Sequence, residues 1–417
     1  MSSNPNSVAG RALDRADARL RQDEGLGGAL RGFLDRVRSG DLGMIPVAVG
    51  LVLISVIFTG LNPVFLRPGN VSNLLYDCAT TGIISLGIVC VLLLGEIDLS
   101  VGSMSGLASA ILGVLWINHG WPVAGAIVVA LGLGALVGAL YATLYNRIGM
   151  PSFVATLAGL LALLGFQLYL LGSSGSINLP FSLPLVVFGQ NAYMPNWLSF
   201  VLALAPGAVL LWSGLRARAR RQAAGLTGGA ASVVVAKATA LTISLLAVVL
   251  YLAQGRGVPW IFALFVGLVV AMDYAIRRTK WGRSMMAVGG NREAARRAGI
   301  NVRRIYLSAF VLCSTLAALG GVLSAARLGS ASQQAGAGDV NLNAIAAAVI
   351  GGTSLFGGRG SAYSALLGII VIQAISNGLT LLNLSSSLRY MILGGVLALA
   401  VIVDSLARRS RASHGRG

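Results

Sequence analysis

The chain has 417 residues, 56% of them hydrophobic and only 11% charged, with a mean hydropathy of +0.81. A soluble domain carries about 25% charged residues, so a large water-soluble core is excluded and one polytopic membrane unit is expected. The formal charge of +18 does not point to nucleic acid, because the basic residues lie between apolar runs, where such charges set membrane topology.

Residues 1–43 are charged and lack an early apolar h-region, so no cleavable signal peptide is expected. Leu30, Phe33, Leu34 and Val37 recur at helical spacing beside Arg31, Arg36 and Arg38, which predicts an amphipathic elbow on the cytoplasmic membrane face. Apolar runs follow at about 44–66, 72–95, 101–117, 121–146, 152–171, 198–215, 233–253, 258–276, 305–326, 344–357, 361–382 and 388–405. The run 344–357 is short and glycine-rich and reads as a broken or re-entrant helix. The expected fold class is therefore all-α, a polytopic transmembrane helical bundle of about ten to twelve spans. Residues 1–43 form a cytoplasmic tail, 44–407 the transmembrane domain and 408–417 a basic tail.

With the N-terminus inside, 27 of the 31 Lys and Arg residues fall on the cytoplasmic side, leaving Arg67, Arg256, Arg327 and Arg389 outside. Both termini are then cytoplasmic. Trp116, Trp121, Trp197 and Trp260 cluster near the outer edges, as an interfacial belt requires. Residues 222–232 read as a flexible inner linker, and 172–197, with three prolines, as a longer outer segment. Cys78, Cys90 and Cys313 lie in or beside apolar runs without CxxC pairing and read as buried small hydrophobes. His119 and His414 are too far apart for a metal site. No metal, cofactor or catalytic residue is expected.

The first informative segment is Gly95-Glu96-Ile97-Asp98-Leu99-Ser100-Val101-Gly102-Ser103. Two carboxylates between long apolar runs are costly unless solvated, paired or hydrogen-bonded. Residues two apart do not share a helical face, so a broken helix is expected. Its glycines permit a bend, and Asp98 caps the helix resuming at Leu99 or Ser100. This makes Glu96, Asp98, Ser100 and Gly102 a candidate gate, with a structural cap as the plainer reading. Gly95, Leu99 and Gly102 also share their spacing with Gly351, Leu355 and Gly358, an echo consistent with a parallel repeat or with chance.

The largest polar stretch runs from Arg277 to Arg304. Within it Asn291 suits an N-cap, Glu293 the first turn, Arg296 and Arg297 the last, and Gly299 a C-terminal stop. The result is a helix of about two turns, with small Ala294 and Ala295, compact enough to enter a partner's groove. A basic loop that only anchors topology fits the residues equally well.

These segments carry a resemblance. GEIDLSVGS after a second span looks like the hallmark of the ribose, xylose and related monosaccharide permeases of bacterial ABC importers. The run T-x-x-G-R-x-x-x-A-V-G-G-N-x-E-A-A-R-x-x-G-I resembles their cytoplasmic coupling loop, and Gly351 to Ser361 resembles a third family block. Extra sequence around 172–260 is similar to xylose-type members, and the GEIDLSVGS form speaks against branched-chain amino-acid permeases. The resemblance implies an ABC ATPase subunit docking on Gly289, Asn291, Glu293, Ala294, Ala295 and Gly299. It also implies an extracytoplasmic sugar-binding protein, a second permease copy and residence in a bacterial inner membrane.

Gln373 and Asn377 share a helix face, and Gln167 and Tyr169 lie in an apolar run. Interhelical bonding is the ordinary role of such groups; lining a sugar path is the functional alternative for Gln167, Gln373 and Asn377. No G-x-x-x-x-G-K-[ST] loop is present, so an ATP-driven system needs a separate ATPase. The rival is an ion-coupled secondary transporter using Glu96 and Asp98. It accounts for the acids but not for the capped helix in the longest inner loop.

Overall fold

The computed structural model describes residues 45–226 and 229–413; the elbow at 30–37 and the tail beyond 413 lie outside them. Among the described residues, nine helices are long and apolar enough to cross a membrane, and the strands form one two-stranded ribbon. The all-α, polytopic expectation therefore holds.

In chain order the helices are α1 (Ile45–Leu61), α2 (Pro68–Leu92), α3 (Val101–Gly113), α4 (Val123–Thr143), α5 (Ser152–Leu171), α6 (Pro184–Gln190), α7 (Asn196–Ala223) and α8 (Ala231–Ala253). They continue as α9 (Trp260–Arg278), α10 (Lys280–Gly290), α11 (Arg292–Arg297), α12 (Val302–Leu328), α13 (Val340–Ile350), α14 (Ala362–Leu381) and α15 (Ser386–Ser413). A π-helical turn extends α3 to Asn118 and another extends α4 to Ile148. Pro68, Pro151, Pro184, Pro195 and Pro259 sit at or just before helix starts, where a missing N–H has no intrahelical partner to lose.

The chain divides into two compact units. In the smaller, within 194–258, α7 and α8 pack as a hairpin with Gly207 against the Thr242 side chain. It lies inside the 172–260 stretch that the sequence marked as additional. The larger unit contains the remaining helices, α15 as far as Arg408. At its centre α12 packs against α2, α3 and α4. Lipid offers no hydrophobic drive between helices, so close backbone approach supplies the association. Gly321 of α12 illustrates this: a Cβ there would lie 1.9 Å from the Ser105 carbonyl oxygen of α3.

Two elements break the bundle's regularity. Strands β1 (Ser176–Asn178) and β2 (Ser330–Ser332) pair antiparallel with Ile177 opposite Ala331, both buried against Ala110 and Leu171. This ribbon ties the segment after α5 to the end of α12. The second element is α13, whose 11 residues span about 16 Å at 1.5 Å each. It falls short of a hydrocarbon core of about 30 Å, as the short, glycine-rich run anticipated. The spacing echo is not repeated in backbone shape, since Gly95 has φ +78° and its counterpart Gly351 has φ −70°.

Candidate functional site: a junction of three glycine-rich segments

Three segments far apart in sequence meet where α2 ends. Helix α2 stops at Leu92, Gly95 turns the chain at φ +78°, and helix resumes only at Val101. The Gly358 N–H donates to the Leu93 carbonyl at 2.9 Å. The end of α10 lies on the same carbonyl: a Cβ at Gly289 would be 1.7 Å from Leu93 O and 2.8 Å from the Gly358 nitrogen. The turn after α2, the last turn of α10 and the loop after α13 thus touch backbone to backbone. No side chain fits between them.

Asp98 is fully buried in the break. Its Oδ1 accepts from the Ser100 N–H at 2.8 Å and the Ser100 hydroxyl at 2.7 Å, with Ser100 the N-cap residue of α3. The carboxylate therefore fixes the turn one residue before the helix starts. Helix α3 has no side-chain cap bond, so Asp98 braces the turn before it instead of capping it as expected. Asp98→Asn retains the accepting oxygen and Asp98→Ala removes it, at about 1 kcal/mol for a lost hydrogen bond. Membrane-inserted protein and uptake are expected to fall more for Asp98→Ala than for Asp98→Asn; wild-type values for both would remove Asp98 from the junction.

Glu96 points the other way, into a cluster from four further elements. Its Oε1 accepts from Tyr145 at 2.6 Å and from Tyr306 at 3.3 Å, and its Oε2 accepts from Ser152. The Tyr145 and Tyr306 rings stack at 4.5 Å between centroids with an interplanar angle of 11°. Arg292, the first residue of α11, donates to the Tyr145 oxygen at 3.0 Å, and its guanidinium lies 5.3 Å from each ring centroid. An acid between apolar runs thus gains three hydroxyl donors and, through one of them, a link to the polar loop.

That loop is better ordered than its sequence suggested. Thr279 caps α10, its Oγ1 accepting from the Gly282 N–H at 3.2 Å, a helix the sequence reading did not anticipate. Asn291 caps α11, accepting from the Ala294 N–H at 2.9 Å, and Gly299 turns out of it at φ +82°. Glu293 pairs with Arg296 at 2.9 Å and Arg297 at 3.3 Å, and the Arg296 hydrogen bond holds its carboxyl below the usual range. Ala294 is exposed, whereas Ala295 is buried against the protein's own chain.

The remaining candidates stand apart from this junction. The Gly102 N–H donates to the Asn341 side chain near the start of α13. Gln167 is buried, donating to the carbonyls of Ser332 at 2.9 Å and Ala335 at 3.0 Å. Gln373 donates to Asp77 O and Thr81 Oγ1, both at 3.4 Å, and Asn377 exchanges amide hydrogen bonds with Asn70 at 2.8 and 3.1 Å. Tyr169 is exposed on α5. Sequence reasoning missed Tyr145, Ser152, Tyr306 and Arg292. Their signal is weak, since a tyrosine near a helix end is ordinary and only its acid partner 49 residues away marks it.

A family model described as branched-chain amino acid transport system, permease component, matches residues 70–401. The xylose transport system permease protein XylH of Escherichia coli (strain K12) is 37% identical over 380 residues, 91% of this chain and 95% of that protein. XylH of Haemophilus influenzae is 34% identical, covering 87% of this chain and 95% of that protein. The ribose import permease protein RbsC of Escherichia coli (strain K12) is 31% identical over 85% of this chain and 91% of that protein. No solved structure matches the chain. The family description names branched-chain amino acids, whereas these relatives are sugar permeases, the group to which GEIDLSVGS pointed. On a match spanning most of its length and relatives covered almost end to end, the chain belongs to the ABC importer permease family, in its sugar permease branch.

Proposed function

We propose that the chain moves a monosaccharide of the xylose class into the cell by alternating access, as the membrane subunit of an ATP-driven importer. Its partners are a separate ATPase on the α10–α11 loop, an extracytoplasmic sugar-binding protein and a second permease copy. It resides in a bacterial inner membrane with both termini cytoplasmic, as the distribution of basic residues favours. The observation that carries the reading is the Arg292–Tyr145–Glu96 connection from α11 to the break after α2. A docked ATPase shifts the permease between two openings only if its contacts differ between them. An exposed capped helix joined to a helix break provides such a contact. The xylose preference rests on the 37% identity to the xylose permease and the α7–α8 hairpin within the additional stretch.

The docking face is tested at Ala294, which is exposed, rather than at buried Ala295. Ala294→Trp is expected to insert normally yet to lose co-purification of the ATPase and uptake together, by about 10-fold or more. Normal co-purification and uptake would reduce α11 to a topology-setting loop. The ion-coupled alternative places a proton or cation at Glu96 and Asp98. Both Glu96 oxygens are engaged by hydroxyl donors, which favours a positioning role there, whereas Asp98 is held through Oδ1 alone and its buried Oδ2 has no partner among the described residues.

A further inference from the structure

Helix α2 is enclosed on nearly all sides. From Ser72 to Leu94 every residue is buried except Asn73, Asp77 and Thr81. These three are polar and fall four apart, on one face. Asp77 lies nine residues beyond Pro68, about 14 Å along the helix axis at 1.5 Å per residue. A polar stripe with a carboxylate at that depth is not a lipid-facing surface; intramembrane acids face protein or a water-filled path.

The facing helix has the matching pattern. Along α14 the residues that are not buried are Tyr363, Leu366, Leu367 and Ile370 in the first half, then Gln373, Ser376, Asn377, Thr380 and the terminal Leu381 in the second. The face changes from largely apolar to polar, up to the terminal Leu381, at the level of Asp77, where Gln373 meets the Asp77 carbonyl and Thr81. Arg327, from the last turn of α12, reaches Asp77 Oδ1 at 3.0 Å and lies 4.8 Å from the Tyr76 ring centroid. The Asp77 side chain is still 46% exposed, and its Oδ2 has no hydrogen-bond partner among the described residues. Below Thr81 the stripe ends in buried Ile84, Ser85 and Ile88.

We propose that this groove between α2 and α14, with the Asp77–Arg327 pair one turn above Thr81, binds the hydroxyls of the transported monosaccharide. Resting on the function proposed above, it is the half of the path that opens away from the α10–α11 loop, about 40 Å of α12 from it. A carboxylate oxygen that only accepts, a guanidinium that only donates and amides that do both suit vicinal hydroxyls, each of which donates and accepts. Burial of α2 just below the groove closes the path in this conformation.

The test uses the complete transporter, permease with its ATPase and sugar-binding protein, in proteoliposomes. Even a buried ion pair replaced by apolar residues of similar size often leaves a fold intact, and this one is only partly buried. The double variant Asp77→Leu with Arg327→Met is therefore expected to assemble and hydrolyse ATP, while sugar uptake falls at least ~10-fold. Wild-type uptake by that variant overturns the proposal and leaves the pair a structural contact. A second readout does not need the double variant to fold. In Thr81→Cys the new thiol is expected to react with a membrane-impermeant reagent added on the binding-protein side, because Cys78, Cys90 and Cys313 are buried. Its labelling is expected to slow with sugar-loaded rather than empty binding protein. Failure of the Thr81→Cys variant to react would place the stripe under lipid or a second copy and also overturn the proposal. Wild-type vesicles lacking ATP-driven uptake would instead overturn the functional reading, and the labelling alone would then decide whether the groove is aqueous.

Discussion

Gly289→Ala is expected to lower uptake by about 100-fold or more and Gly290→Ala to transport within about twofold of wild type; 100-fold corresponds to about 2.7 kcal/mol. The two glycines are adjacent, so composition and local helix propensity give no reason to separate them. The junction does. A Cβ on Gly289 would stand 1.7 Å from a backbone oxygen, whereas nothing lies within 4 Å of a Cβ on Gly290. Backbone cannot rotate aside as a side-chain tip does, so α10 must lift from the turn after α2 and from Gly358. Uptake, membrane expression and ATPase co-purification are measured together. Equal, near-normal uptake by both variants would show that the junction yields freely and transmits nothing.

The second large effect concerns the tyrosine stack. Glu96→Ala leaves three hydroxyl donors without their acceptor, a loss of about 1–3 kcal/mol for buried groups. A 10- to 100-fold fall in coupled uptake is about 1.4–2.7 kcal/mol. Arg292→Ala removes the other end, a guanidinium bonded to Tyr145 at 3.0 Å. If the stack joins the helix break to α11, the double variant transports no worse than Glu96→Ala alone. Groups in one network depart from additivity by about 0.5–3 kcal/mol. Strictly additive losses, extracted from the four uptake rates, would mean that the two ends act independently.

The architecture was legible because span length, apolar runs and glycine-rich breaks are local properties. The 344–357 run announced a half-span through its length, and α13 is one. Asn291 and Gly299 marked both ends of α11 through capping chemistry that needs no tertiary partner. The longer α10 beside it was missed because its only start signal, Thr279 before Lys280, is a common pairing in any loop. The meeting of Gly289, Leu93 and Gly358 was hidden for another reason. It consists of backbone against backbone, and a glycine required by a neighbour over 60 residues away reads the same as one in a flexible turn. Ala295 shows the complementary limit: its small side chain suits a docking face or an internal contact equally, and burial assigns it to the second. Asp77 lay unremarked inside an apolar run until the exposure pattern of α2 set it beside Arg327, 250 residues on.

In the proposed function, ATP hydrolysis by a separate subunit drives sugar through this chain. This coupling is tested most directly by uptake of labelled xylose and ribose into proteoliposomes containing the permease, without any ion gradient. Accumulation is expected only when ATP, the ATPase subunit and the sugar-binding protein are all supplied, with xylose taken up ahead of ribose. Accumulation driven by a proton or sodium gradient without the ATPase, and lost in Glu96→Gln or Asp98→Asn, would contradict it.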